Sequence, residues 1–376
     1  MKSILVITHD TSLSGAPKSL LLMLEQLSKV DLEITTIAFK GNGPLEARFK
    51  KNSNQYFNFE KIDNSKDYSI KNRLKRILLK KPIVSEREKF IKYINYQTFD
   101  FIYVNTISAL KTGIRFFYKE NVPFILHVHE LKTVIDEFVP NLKEYDRKIS
   151  HYIVPSELNK NTLIKYFQIN ETKISIVRET STLLSIESPK MEDDRLKIVM
   201  CGGAYWRKGD DLFVQIAAKV IDQIKNSDFY WIGHITEERL RVNLADAEKL
   251  NITDNIHFIQ ETNTPESWMS NANLFTLTSR EDPFPLAAIE AGLLGLPIVC
   301  FQKATGIAEV INKECTIPYL DVDKMASKII ELLHDKTKRE QLGEENKLYF
   351  ETLTPKNISK QVISILNNLQ TQINSF

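Results

Sequence analysis

The chain has 376 residues, 43% of them hydrophobic and 26% charged; at about 150 residues per domain this predicts two domains and excludes global disorder. The apolar runs fall short of the ~18 residues of a membrane span, Asp10 cuts short any secretory core, and Cys201, Cys300 and Cys315 lack paired spacing, so a reducing cytoplasm without disulfides or structural zinc is expected. The net charge of +2 hides 29 basic and 21 acidic side chains in residues 1–188 against 21 and 27 in the rest, an asymmetry that suggests two domains facing different partners but is too mixed in sign to indicate nucleic acid.

The first predicted strand is Ser3-Ile4-Leu5-Val6-Ile7, a short apolar run of the kind buried on both sheet faces. A small-residue loop, Thr11 to Ser19 with Gly15 at its centre, leads into a helical pattern from Leu20 to Leu27. Such a loop lets backbone approach a ligand, and the helix N-terminus after it favours an anion. An ordinary strand-to-helix turn accounts for the same residues, since the spacing is neither GxGxxG nor a Walker lysine pattern.

Further strands are predicted at Leu32–Ala38, Phe101–Val104, Phe124–Val128 and Tyr152–Pro155, mostly with helical stretches between them. That alternation means a parallel sheet with helices on both faces. Between the first and second of these runs, Lys71 to Lys81 (KNRLKRILLKK) holds six basic residues in eleven, among them Lys71, Arg73, Lys75 and Arg76, with Leu74, Ile77 and Leu78 on one helical face. Such a segment can lie on an anionic bilayer, each basic residue near the surface contributing about 1 kcal/mol. It can equally be a solvated helix packing its leucines on the domain. In His127-Val128-His129-Glu130, alternation puts both histidines on one face. A histidine there can hydrogen-bond a polar substrate or be purely structural; no neighbouring third ligand supports a metal.

The polar stretch Glu187 to Arg195 reads as part of an interdomain linker. A second strand–helix series follows at Leu196–Cys201, Phe229–Ile232, Ile256–Ile259, Leu274–Thr278 and Ile298–Phe301. Two such units are expected to hold a ligand between the carboxyl ends of their sheets. Three loops of this half carry candidate chemistry. Gly202 to Gly209 places Arg207 and Lys208 side by side, a fork and a point charge suited to a diphosphate. A solvated basic loop accounts for the same residues, and the position at a strand's carboxyl end in an open sheet favours the ligand. Ser279 to Gly292 contains Asp282 and Glu290 with seven residues between them. A helix starting near Pro285 puts Glu290 in its second turn, where a carboxylate can accept from ribose hydroxyls, and Asp282 in the loop before it. The alternative is helix capping by Asp282 and an exposed Glu290, but the two prolines of DPFP fix a loop that a cap does not need. Phe301 to Glu309 offers further backbone amides near Thr305 and Gly306. Finally, Ile358, Val362, Ile365 and Leu366 recur at helix spacing.

Together these segments resemble a family-4 glycosyltransferase of the GT-B class over nearly the whole chain. The resemblance rests on SREDPFPLAAIEAGLLGLPIV (Ser279–Val299), YWRKGDDLF (Tyr205–Phe213), SGAPKSL (Ser14–Leu20), DFIYVNT (Asp100–Thr106) and HVHELK (His127–Lys132). It implies an α/β fold of two Rossmann-like domains with parallel sheets facing a central cleft. An acceptor-binding domain would span 1–186 and a nucleotide-sugar-binding domain 187–355, with a C-terminal helix at 356–376 that would pack back on the first domain. It implies a retaining transfer from a nucleoside-diphosphate sugar, with no cofactor and no catalytic metal. The acceptor would be a hydroxyl of a glycan or lipid-linked acceptor in surface polysaccharide, glycolipid or protein-glycan synthesis. The enzyme would be cytoplasmic, at the inner face of an anionic membrane where the basic stretch makes peripheral contact.

Position by position, Glu290 matches the second glutamate of the E-x7-E motif and would bind the donor ribose. Asp282 falls in the register of the first glutamate, near the donor sugar, with Glu281 adjacent as the alternative carboxylate. Phe284, Pro285 and Leu286 match the loop whose amides approach the sugar and diphosphate, and Lys208 matches the phosphate-binding lysine. The usual arginine six residues earlier is Gly202 here, with Arg207 as its substitute. His129 matches the histidine that contacts the transferred sugar, and Gly15 the loop beneath the donor phosphates. The aspartate at 282 and the glycine at 202 give some weight to a non-catalytic GT-B subunit that binds a partner glycosyltransferase or a glycan. A nucleotide-dependent oxidoreductase or epimerase is disfavoured, because neither half has GxGxxG followed by an acidic residue at the next strand's end.

Overall fold

The computed structural model describes residues 1–63, 84–183, 194–260, 262 and 264–374. The boundary expected at 186/187, linker residues 187–193 and the basic stretch containing Lys71, Arg73, Lys75 and Arg76 lie outside them. The chain forms two compact units. The first comprises Met1–Val154, Lys160–Val177 and the chain from Ile358 onward; the second comprises Pro155–Asn159 and Arg178–Asn357.

The first unit is built on a seven-stranded sheet in the order β3-β2-β1-β4-β5-β6-β7. The strands are β1 (Lys2–Thr8), β2 (Leu32–Ala38), β3 (Gln55–Asn58), β4 (Phe101–Asn105), β5 (Phe124–His127), β6 (His151–Val154) and β7 (Ile174–Ile176). Every pairing is parallel. Alternation along β1 sends Leu5 and Ile7 into one core, with Val104, Phe124 and Leu126. Ile4 and Val6 go into the opposite core, with Leu20, Leu24, Phe101 and Tyr103. Burial on both faces is why β1 and β4 read as continuous apolar runs. The C-terminal helix Pro355–Asn374 adds Ile358, Val362, Leu366 and Leu369 to this second core.

The second unit repeats the plan with six parallel strands in the order β10-β9-β8-β11-β12-β13. They are β8 (Leu196–Cys201), β9 (Ser227–Ile232), β10 (Ile256–Ile259), β11 (Leu274–Leu277), β12 (Ile298–Phe301) and β13 (Thr316–Ile317). The core holds the fully buried Trp231, with Phe213 edge-on at 5.3 Å. Strand order reverses between β1 and β4 in one sheet and between β8 and β11 in the other. In open parallel sheets the loops leaving the carboxyl ends at such reversals are where ligands bind. Among the described residues no helix is long and apolar enough to cross a membrane.

Candidate functional site

In the second unit, the reversal brings together the loop after β8 and the loop after β11. The first contains Arg207 and Lys208, the second Ser279 to Pro285. Thr278 Oγ1 donates to the carbonyls of Lys208 and Gly209, each at 3.1 Å. The amides of Arg280 and Glu281 both donate to the Arg207 carbonyl, at 2.8 and 3.2 Å. Gly209 closes the first loop at φ 72°, and a Cβ there would overlap the Thr278 carbonyl, so glycine alone allows this approach.

Side chains reinforce the joint. The Arg280 guanidinium takes both oxygens of Asp211, at 2.8 and 2.7 Å, and donates to the Trp206 carbonyl at 2.9 Å. Burial alone would raise the Asp211 carboxyl, but hydrogen bonds and charge from Arg280 hold it below the usual carboxylate range. Asp210 beside it is fully buried under the guanidinium of Arg239 and the amide of Asn243. These residues anchor the helix Asp210–Gln223 that follows Lys208.

Lys208 Nζ lies 2.5 Å from Asp282 Oδ2, and Ser279 Oγ donates to the same oxygen at 3.2 Å. Arg207 reaches Asp282 Oδ1 at 3.6 Å and donates to the Glu281 carbonyl at 2.7 Å. The carboxylate brought to the two cations is therefore that of Asp282; Glu281 contributes its main chain to the joint. Asp282 does not cap a helix. Its amide donates to the Ala304 carbonyl at 2.8 Å, holding the loop against the one after β12.

The helix Leu286–Leu293 begins after Pro285 without a side-chain cap. Leu286 and Ala287, in its first turn, have no intrahelical acceptor for their amides. Phe284, Pro285 and Leu286 are all buried. The amides of Gly306 and Ile307 are, by contrast, already engaged. Gly306 N donates to the Pro283 carbonyl at 2.7 Å, and Ile307 N donates to Thr305 Oγ1 at 3.2 Å. These bonds brace the Pro283 loop and commit the Gly306 and Ile307 amides to it.

Glu290 sits in the second turn, 3% exposed, and Oε1 accepts from Ser181 Oγ at 2.6 Å. Ser181 belongs to the segment that re-enters this unit at Arg178. The Arg178 guanidinium covers the Phe284 ring at 5.2 Å, pairs with Glu309 at 2.8 Å and donates to the Pro155 carbonyl at 2.8 Å. Glu309 also accepts from the amides of Glu157 and Leu158, at 3.1 and 2.8 Å. Ser181, Arg178 and Arg280 were not singled out from the sequence. Nothing local to a single Ser or Arg signals a partner far away along the chain.

In the first unit, the reversal gathers a second polar cluster. His127 and His129 share a face as alternation requires, with ring centroids 3.9 Å apart. His127 is buried, its Nδ1 2.6 Å from Tyr103 Oη. His129 Nε2 lies 2.7 Å from Asn105 Oδ1. Thr106 has φ 84°, a strained conformation for a β-branched residue and one that clusters at functional positions. The Glu130 carboxylate accepts from the amides of Ile107 and His129, which pins the loop on both sides of it. His9 lies 3.3 Å from Thr106 Oγ1. Burial lowers its pKa, with Asp10 opposing and His129 assisting. Gly15 opens the helix Gly15–Leu27 and is exposed.

Residues 184–349 match the profile of the family described as glycosyl transferases group 1. An uncharacterized glycosyltransferase of Haemophilus influenzae is 27% identical over 157 residues, covering 42% of this chain and 43% of that protein. The O-antigen biosynthesis glycosyltransferase WclY of Escherichia coli is 25% identical over 183 residues, 48% of this chain and 49% of the relative. The matched stretch thus spans about half the length of these curated relatives. Among solved structures, Anabaena HepE in complex with UDP-glucose superposes with a TM-score of 0.78 at 16% identity, covering 98% of this chain and 100% of that one. A point mutant of S. aureus TarM, in complex with fondaparinux, α-GlcNAc-glycerol and UDP, gives 0.74 at 15%, again over 98% and 100%. The fold is GT-B, and the similarity to the group 1 glycosyl transferase profile is confined to residues 184–349.

Proposed function

We propose that the chain is a retaining family-4 glycosyltransferase that moves a sugar from a nucleoside-diphosphate sugar to a hydroxyl acceptor in surface polysaccharide, glycolipid or protein-glycan synthesis. The observation that carries this reading is the grouping of Lys208, Arg207 and Asp282 at the β8/β11 reversal, with Glu290 on the helix that follows the Asp282 loop. In this reading the diphosphate takes Lys208 and Arg207 as counter-charges, with the first amides of Leu286–Leu293 adding partial positive charge. Glu290 accepts from ribose hydroxyls.

Breaking the bond between anomeric carbon and phosphate oxygen leaves negative charge on the diphosphate, which these fixed groups stabilise without reorganising. The acceptor oxygen bonds the anomeric carbon on the same face, and its proton passes to the leaving phosphate oxygen. No protein nucleophile and no metal is required. The polar cluster around His129 is the proposed place for hydroxylated ligand groups in the first unit. The relatives that act in O-antigen biosynthesis or bind UDP support this substrate class and make UDP the first diphosphate to try.

Calorimetric titration with UDP, GDP, dTDP and CMP, with and without magnesium, tests the reading. One nucleoside diphosphate should bind saturably without metal, and Glu290→Ala should lose that binding. Failure of all four to bind would favour the non-catalytic subunit, for which Gly202 in place of the expected arginine is the supporting observation.

A further inference from the structure

We infer that Ser181 is a positioning residue for the nucleotide, setting the Glu290 carboxylate for the ribose hydroxyls and so contributing to selection of ribo- over deoxyribonucleotides. This rests on the proposed donor site and adds to it a residue from a distant part of the chain.

A carboxylate on a helix can rotate about its last bond, a broad two-fold torsion with little intrinsic preference. A carboxylate that must meet ribose hydroxyls gains specificity only if that rotation is stopped beforehand. Ser181 supplies the stop. Its hydroxyl donates to Glu290 Oε1 at 2.6 Å, and both residues are nearly fully buried, at 4% and 3% exposure. Charge-assisted O–H···O⁻ bonds of this length are the strong kind, and low local polarity strengthens them further.

The segment holding Ser181 is itself fixed. Thr180 Oγ1, fully buried, donates to the Leu353 carbonyl at 2.5 Å. Two residues earlier, Arg178 is held by Glu309 and the Pro155 carbonyl while covering Phe284. One short piece of chain therefore touches both the Phe284 loop and the Glu290 helix. That arrangement suits a bracket for the donor site better than a plain connection. Direct bonding of a ribose hydroxyl by protein groups rejects the analogue that lacks the hydroxyl, because the buried acceptor is then left with one donor fewer.

The test compares Kd for UDP, GDP and ADP with Kd for their 2′-deoxy counterparts in wild type, Ser181→Ala and Glu290→Gln. The expected wild-type result is at least tenfold preference for one ribonucleotide. In Glu290→Gln the preference should collapse to near unity. In Ser181→Ala it should fall at least threefold, while affinity for the deoxy form changes little. A uniform loss of affinity for both forms would mark Ser181 as merely structural and overturn the inference. So would an unchanged preference in Ser181→Ala alongside collapse in Glu290→Gln, with the donor site itself intact. Absence of any nucleotide binding to wild type would instead remove the donor reading and this inference with it. Ser181→Cys, nearly isosteric and a weak donor, gives the same readout if the alanine variant does not fold. Ser181→Thr, which keeps the hydroxyl, should restore most of the preference.

Discussion

At the scale of single residues, the ion pair between Lys208 and Asp282 bears most directly on function. A buried carboxylate 2.5 Å from the ammonium neutralises the charge proposed to meet a diphosphate. The two anions then compete for one cation, and the variants should differ in sign. Lys208→Ala should weaken nucleoside-diphosphate binding by roughly 10- to 100-fold, the loss of a charge-assisted contact. Asp282→Asn should tighten binding severalfold while cutting transfer by about 100-fold or more, if Asp282 acts near the reacting sugar. Parallel loss of affinity in both variants, read by calorimetry, would show that Asp282 only holds the loop. Motif spacing was enough to put Lys208 and Asp282 in loops after strand ends and Glu290 in the second turn of a helix, which is where the structure has them; their roles toward a donor belong to the proposal. Ser181 and Arg280 were not legible as partners, since their meaning depends on which distant loop the fold delivers. A separate test concerns His151, whose imidazole is pushed down to about 4 by burial, with Lys173 assisting. The neutral form is favoured in the folded state, so its stability contribution is whole above pH ~6.5 and is lost as pH falls towards 4. Allowing for partial solvent screening, the loss is about 2–3 kcal/mol. His151→Gln should flatten the drop in urea midpoint between pH 7 and 4.5; the share from His9, also lowered by burial, stays in place.

At the scale of elements, the helix Leu286–Leu293 has to keep Glu290 in place, and its packing against the helix Lys336–Phe350 is tight. A Cβ on Gly292 would overlap the Phe350 ring, and one on Gly343 would overlap the Gly295 carbonyl. Gly292→Ala should therefore destabilise by about 1–3 kcal/mol through overpacking, despite alanine's better helix propensity. Urea unfolding measures this, and an unchanged or raised midpoint would mean the contact relaxes freely. Among the described residues ten strands were legible as short apolar runs, and the three that were not explain the limit. β3 (Gln55–Asn58), β7 (Ile174–Ile176) and β13 (Thr316–Ile317) are edge strands of at most four residues. An edge strand has one paired neighbour and less burial, so QYFN and ISI need not be continuously apolar. The central strands β1, β4 and β8 are covered on both faces, and their sequences say so.

At the scale of the whole molecule, the chain does not divide at one point. It leaves the first unit at Pro155, returns at Lys160, leaves again at Arg178 and returns at Ile358. Periodicity predicts a helix at the C-terminal end but says nothing of which core takes its apolar face. In the structure Ile358, Val362, Leu366 and Leu369 enter the core shared by Ile4, Val6, Leu20 and Tyr103. Burying four such side chains contributes about 6–10 kcal/mol as an upper figure. That is comparable to the entire 5–15 kcal/mol by which a domain is usually stable, roughly speaking. A fragment of residues 1–177 should therefore fail to form a stable first unit. It should bind a hydrophobic dye and lack a cooperative thermal transition. Adding residues 355–374 back, through a flexible linker or as a separate peptide, should restore the transition, because the missing side chains and not the missing second unit are the deficit. A cooperative transition in 1–177 alone would show that the first core closes without the helix. Residues 355–374 would then serve to tie the chain's end to the first unit, contributing little to its stability.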